Sequence, residues 1–195
     1  VTASSVHESP TDDVSQKIDR ITAKIHDAAS RPLSQAVTFP AAAYIDEDYF
    51  SFEAKKILET GWMCIAHVSQ LKEPGSYVTV DLLGEPTVVI RAADGSIRVL
   101  SRVCPHRSMD IMSETSGMPR VGVVKRLTCP YHLWAFDLDG KLKGCPHMQR
   151  VSDFNKGDWQ LASFPSQVWH GFVFVNFDGK AAPVAEQYEQ LGKML

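Results

Sequence analysis

Cys104-Pro-His106 and Cys129-Pro-Tyr-His132 constrain this chain more than anything else in its 195 residues. Each is a short proline-containing box that pairs one sulfur with one imidazole. The fold must therefore bring two loop tips to a common centre. Pro105 and Pro130 each remove a backbone donor and restrict φ, which stiffens both loops. A β scaffold suits the task, because a rigid sheet holds exposed loop tips at fixed relative positions.

Two thiolates with two neutral imidazoles suit a Rieske [2Fe–2S] cluster, in which the thiolates hold one iron and the imidazoles the other. The thiolates stabilise the iron that stays ferric. The imidazoles place less negative charge on the second iron and raise the potential above that of an all-thiolate centre. Cys104, His106, Cys129 and His132 are thus the expected ligands, and one-electron transfer the expected chemistry. Tetrahedral zinc also takes two cysteines and two histidines, but zinc fingers usually pair like with like, whereas each box here mixes the types. Unrelated buried cysteines and core histidines are a further reading, common for single residues and rare for four in this order. A rival pair lies downstream, because Cys145-Pro-His147 repeats the first triplet. Used in its place, it leaves only residues 133–144 after His132, and Asp137-Leu-Asp139-Gly140 within them is a hairpin turn signal. The first pair leaves the 22 residues 107–128, room for a loop and a strand. It is preferred, and Cys145 is read as a free thiol beside the cluster domain.

Along the chain, residues 1–10 read as a disordered arm rich in Ser, Thr, Pro and His. Pro10 to Asp13 then offer a cap and an acidic first turn. Val14, Ile18, Ile21 and Ile25 recur at helical spacing, which predicts an amphipathic helix to about Ala29, packed on its own domain or on another subunit. A linker follows to Pro40, and a second helix runs from about Glu47 to Glu59, capped by Asp46 and closed by Gly61. After Gly61 the period changes to that of strands. Met63–Val68, Ser76–Leu83, Thr87–Arg91, Ser96–Val103, Val121–Thr128, Leu161–Phe164 and Val168–Phe177 alternate or run β-branched between turn signals such as Ala93-Asp94-Gly95. The fold class is mainly β and antiparallel, with both boxes on inter-strand loops and an N-terminal helical segment in front. Three parts result: an arm and two helices over 1–60, a cluster domain over 61–180, and the start of a helix over 181–195. His67 and His170 fall inside strand patterns and read as packed or edge residues.

A net charge of −3 argues against nucleic acid as a partner. No apolar run approaches the roughly 20 residues of a membrane span. Four cysteines are too few for a secreted disulfide scaffold. The first residues, Val-Thr-Ala-Ser-Ser, lack a basic-then-apolar leader, so a cytoplasmic protein is expected. Lys125-Arg126 and Lys141 with Lys143 form small basic spots near the boxes, either a guide for an acidic ferredoxin or reductase or plain solvated surface.

Residues 104–107, Cys-Pro-His-Arg, and 128–142, Thr-Cys-Pro-Tyr-His-Leu-Trp-Ala-Phe-Asp-Leu-Asp-Gly-Lys-Leu, resemble the two cluster-binding boxes of the Rieske non-haem iron oxygenases. More specifically, they resemble the alpha (large, terminal oxygenase) subunit that hydroxylates aromatic rings or oxidatively demethylates quaternary amines. The resemblance extends back through Gly61-Trp62, Pro74-Gly75 and Gly84-Glu85-Pro86 and forward through Val168 to Asn176, covering about residues 40–195. It implies a Rieske-type β-sandwich that relays electrons from a reductase or ferredoxin to a mononuclear Fe(II) that activates O2. It also implies a homo-oligomer, a trimer-type ring alone or with a small beta subunit. The facial triad of such an iron needs two histidines and a carboxylate, and no Asp/Glu-x-x-His cluster occurs here. The catalytic domain is thus absent from these residues, with Pro183 to Leu195 the start of a linker helix toward it. A stand-alone Rieske ferredoxin is the alternative, although such carriers begin almost at the first strand.

The chain departs from the family in places. The 22 residues between the boxes imply a modest insertion around Ser113 to Pro119. Ser108 stands where Gly is frequent and Leu133 where a small residue is usual. Met109 and Tyr131 occupy the positions of two cross-linking cysteines of respiratory Rieske proteins, and Trp134 that of a serine which bonds to a bridging sulfide there. With fewer donors to the sulfurs, the potential is expected near the low end of the Rieske range, about −150 mV. Trp134 is expected to shield the cluster from water. The substrate stays open among aromatic acids, polycyclic hydrocarbons and carnitine-like or choline-like amines.

Overall fold

Helix α1 (Pro10–Ser30) opens the computed structural model, which describes residues 10–194. Of the arm expected over residues 1–10, residues 1–9 lie outside them, and Pro10 instead begins α1. Val14, Ile18, Ile21 and Ile25 share one face of α1, and Ile21 is its buried centre. Two shorter helices follow, α2 (Ala42–Ile45) and α3 (Glu47–Glu53). Asp46 caps α3 as expected, accepting from the Tyr49 N–H at 3.0 Å. Lys17 reaches from α1 to Asp46 at 3.1 Å and to Asp48, so one ammonium ties two helices. The single helix expected to Glu59 widens after Glu53 into a π-helical turn, Ala54–Leu58. The periodicity of side chains does not separate that turn from an α-helix. Between Leu58 and Glu59 the chain divides into two compact units.

Among its described residues the second unit holds eleven strands: β1 (Met63–His67), β2 (Ser76–Leu82), β3 (Glu85–Arg91), β4 (Ile97–Ser101), β5 (Val121–Val123), β6 (Leu127–Thr128), β7 (Ala135–Phe136), β8 (Leu142–Gly144), β9 (Ser163–Phe164), β10 (Ser166–Trp169) and β11 (Phe172–Val175). They form three sheets, ordered β1-β11-β10, β5-β2-β3-β4-β9 and β6-β7-β8. Every pairing is antiparallel. The mainly β fold with helices in front is the one the residue pattern predicts.

The five-stranded sheet is the middle layer, and β3 shows why. Thr87-Val-Val-Ile90 is buried without a break. Val88 and Ile90 face one core, shared with Leu100, Trp134 and Phe136, whereas Val89 faces another, shared with Val99, Val173 and Val175. A strand covered on both sides needs apolar residues at successive positions, not alternate ones. The first core carries Cys104 and Cys129.

Two expected strands prove to be two elements each. Val168–Phe177 is the hairpin β10–β11, in which Trp169 pairs with Phe172 across His170-Gly171. Both turn residues have positive φ, 47° and 83°, the requirement of a two-residue hairpin loop. Histidine at the first position hides that turn from a search for Asn-Gly or Asp-Gly. Val121–Thr128 likewise divides between β5, at the edge of the middle sheet, and β6, in the small third sheet. The crossing is made at Val124, whose N–H bonds to the Gly75 carbonyl at 2.9 Å. A Cβ on Gly75 would sit 2.0 Å from Val124 O, so only glycine fits there. The segment Ser113 to Pro119, where an insertion was expected, contains a 3-10 turn, Glu114–Ser116, capped by the Ser113 hydroxyl. At the far end Val184 is fully buried beside Trp62 and Phe174, and the Trp62 indole donates to Ala182 O at 2.6 Å.

Candidate metal centre

The two boxes fold into loops of the same form. In the first, the Cys104 N–H bonds to Met109 O and the Ser108 N–H to Cys104 O, each at 2.9 Å. In the second, the Cys129 N–H bonds to Trp134 O at 2.8 Å and the Leu133 N–H to Cys129 O at 3.0 Å. The residue four after each cysteine turns the chain through the left-handed region, Ser108 at φ 52° and Leu133 at φ 59°. Glycine takes that conformation freely, so Ser108 and Leu133 keep the geometry at a conformational cost. Pro105 and Pro130 stand where neither closure needs a donor. The first loop grows from the end of β4 and is pinned by the bridge Val103 to Asp110, and the second is the tip of the β6–β7 hairpin.

The four side chains sort by element. Cys104 and Cys129 are 1% and 2% exposed, with their sulfurs near enough to influence each other. His106 and His132 stand side by side, ring centroids 4.7 Å apart and planes at 70°. Among the described residues no three Cys, His, Asp or Glu side chains converge as ligands of a single ion would. The donors pair two and two. His132 Nδ1 is buried with no hydrogen-bond partner among the described residues, an unmet need that a metal bond would satisfy.

Electrostatics holds the proton on the buried thiol and keeps the neighbouring imidazole neutral. Burial pushes the Cys104 thiol up to about 11, with the N–H groups of His106 and Arg107 pulling it down and the neighbouring Cys129 sulfur pushing it up. A thiol so placed stays protonated at neutral pH until a cation's charge displaces the proton. Burial also holds His106 below the ordinary imidazole range, helped by His132 and Arg107. The shift favours the neutral ring, the form that ligates.

An aromatic wall stands behind His106. The Trp134 indole, 1% exposed, lies flat on the His106 ring at 4.8 Å with 3° between planes. Trp159 at 5.1 Å and Phe154 at 5.8 Å hold it edge-on. On the other side the Tyr131 ring is 3.8 Å from His132, and Tyr131 and Leu133 are both more than half exposed. Of the rival triplet, Cys145 is half-buried at the margin of the same core, and His147 is exposed. His67 ends β1 packed edge-on against Phe172, 5.0 Å away. His170 is a turn residue, not a strand residue.

Arg102 has a part that no sequence signal marks. It is 6% exposed and pairs with Asp81 on β2 and, at 3.1 Å, with Asp110 at the base of the first loop. Asp110 also accepts the Met112 N–H at 3.0 Å. The guanidinium thus clamps the loop base to the middle sheet. Its acidic partners lie 21 residues before it and eight after, in segments that only the fold joins.

Residues 61–165 match the Rieske [2Fe-2S] domain family. The chain belongs to that family. This Rieske domain is 36% identical over 158 residues to the carnitine monooxygenase oxygenase subunit of Escherichia coli (strain K12), a match covering 81% of this chain and 41% of that protein. It is 32% identical over 139 residues to the benzene 1,2-dioxygenase subunit alpha of Pseudomonas putida, covering 71% and 30%. Among solved structures it superposes on the apo form of a quaternary ammonium Rieske monooxygenase, with TM-score 0.72, 34% identity and coverage of 82% of this chain and 45% of the other. Against naphthalene 1,2-dioxygenase from Rhodococcus sp. the TM-score is 0.78 at 26% identity, covering 90% and 38%. The chain spans less than half the length of the curated relatives it matches.

Proposed function

We propose that Cys104 and Cys129 hold one iron of a [2Fe–2S] cluster and His106 and His132 the other. On this reading the chain is the electron-accepting portion of an oxygenase alpha subunit, ring-hydroxylating or amine-demethylating. The segregation of a sulfur pair from an imidazole pair on two matched loop tips carries it. Bound there, the cluster supplies a site for one electron. The chain's own residues do the rest. The N–H groups of His106 and Arg107 aim at the Cys104 sulfur and stabilise its negative charge. Burial favours the neutral form of His106, and His132 Nδ1 has no hydrogen-bond partner among the described residues, so each ring has a nitrogen to offer. Trp134 covers His106 and excludes water from that side.

Residues 61–180 form the cluster domain in this proposal, and 181–195 begin the link to a catalytic domain that holds the mononuclear iron. A reductase or ferredoxin supplies the electrons, and a homo-oligomeric ring in the cytoplasm brings domains of neighbouring subunits together. Relatives that are oxygenase subunits, matched over less than half their length, support this over a stand-alone carrier. No helix among the described residues is long and apolar enough to cross a membrane.

Visible absorption and the EPR of the reduced protein test the assignment. The chain assembled with iron and sulfide should be brown. Cys104→Ser and His132→Ala should each abolish the cluster, and Cys145→Ser should retain it. A colourless zinc protein, or bleaching by Cys145→Ser alone, would overturn the ligand set.

A further inference from the structure

After β8 the chain passes through Cys145 into a 3-10 turn, Met148–Arg150, and returns through Val151 and Phe154. An open groove of about 710 Å3 lies between these segments. Its lining combines the apolar Pro146, Met148, Val151 and Phe154 with the basic Lys143 and Lys156. No carboxylate lines it, although the whole chain carries a net charge of −3. Asp153 and Asp158, in the same stretch, lie outside the lining, and Asp137 pairs with Lys143 at 3.1 Å from outside it. The groove also has a route inward. Phe154 meets Trp134 edge-on at 5.8 Å, and Trp134 lies flat on His106 at 4.8 Å. Rings in contact thus lead from the groove wall to one of the four proposed ligands.

We propose that this groove docks an acidic one-electron carrier protein, whose electron reaches the His106 side of the cluster through Phe154 and Trp134. The inference rests on the cluster assignment above. A lining of apolar side chains and two lysines complements a partner with an apolar contact patch and exposed carboxylates, the usual chemistry of a steered interface. The transfer oxidises the carrier by one electron and reduces the cluster by one, with no bond made or broken.

The test mixes the cluster-loaded protein with a reduced acidic [2Fe–2S] ferredoxin in a stopped-flow instrument and follows the absorption of the cluster. Opposite charge speeds encounter and makes it salt-dependent. The double variant K143E/K156E should slow the second-order reduction about tenfold at low salt and flatten its dependence on ionic strength. K156E alone, which leaves the Asp137 pair in place, should move the rate in the same direction. K72E/K180E changes the net charge equally at exposed sites outside the groove and should leave the rate unchanged. F154L should lower the limiting rate at saturating ferredoxin severalfold without altering the visible spectrum. Equal rates for the two double variants would overturn the docking site, and an unchanged limiting rate in F154L the route. A protein that takes up no cluster would overturn the cluster assignment and this inference together, a result distinct from a loaded protein with unaltered rates.

Discussion

Leu133 shows what one residue pays to serve its loop. At φ 59° and 59% exposed, it buries little in return for its left-handed backbone. Glycine adopts that conformation without a Cβ clash, and the penalty for other residues is about 1–2 kcal/mol. Leu133→Gly should therefore stabilise the cluster-loaded protein by about 1 kcal/mol, seen as a higher urea midpoint at unchanged slope. A lower midpoint would mean that the leucine side chain makes contacts worth more than the strain. Ser108, its counterpart in the first loop, obeys the same rule with a smaller side chain. The sequence already marked both positions as departures from a small-residue pattern. The reason, a shared left-handed turn, appears only in the backbone.

Among elements, the β7–β8 turn is the one whose chemistry was most legible. Asp137 Oδ1 accepts the N–H groups of Asp139 at 3.0 Å and Lys141 at 2.9 Å, and Lys143 pairs with its other oxygen at 3.1 Å. Burial raises the Asp137 carboxyl, but the Lys141 N–H, the Lys143 ammonium and the Asp139 N–H outweigh it and hold the group below the usual carboxylate range. A depressed folded value contributes stability above the unfolded value near 3.9, and that contribution is lost as pH falls through the folded value. Asp137→Ala should cost about 1–2 kcal/mol at neutral pH. The charge-dependent part of the gap to the wild type should close as the pH drops below about 4. Urea unfolding at pH 7 and pH 3 measures both, and a gap that widens in acid would contradict the assignment. The β10–β11 turn shows the opposite case. His170 takes a left-handed turn position that histidine only sometimes adopts, so two strands read as one.

For the whole molecule, layering decides which residues affect the cluster. Val88 and Val89 are adjacent, chemically identical and fully buried, yet they face different cores. Val89→Ala should cost about 2–3 kcal/mol of stability by leaving a cavity. It should leave the cluster's absorption unchanged, because Val89 packs on the core shared with β11 and not on the one that carries Cys104 and Cys129. Thermal unfolding with the visible spectrum as a second probe separates the two effects. Loss of the cluster at temperatures where the sheet persists would show that the layers are coupled.

The cysteine–histidine boxes, the Asp46 cap of α3, most strands and the turn at Asp137 were set by the sequence itself. Donor type, proline position, hydrophobic period and capping are local properties, written in residues a few places apart. Tertiary structure alone decided the flat stacking of Trp134 on His106, the clamp of Arg102 between Asp81 and Asp110, and the groove lined by Lys143 and Lys156. Each joins segments distant in the chain, and their meeting depends on strand order and layer packing, which no local pattern of residues encodes.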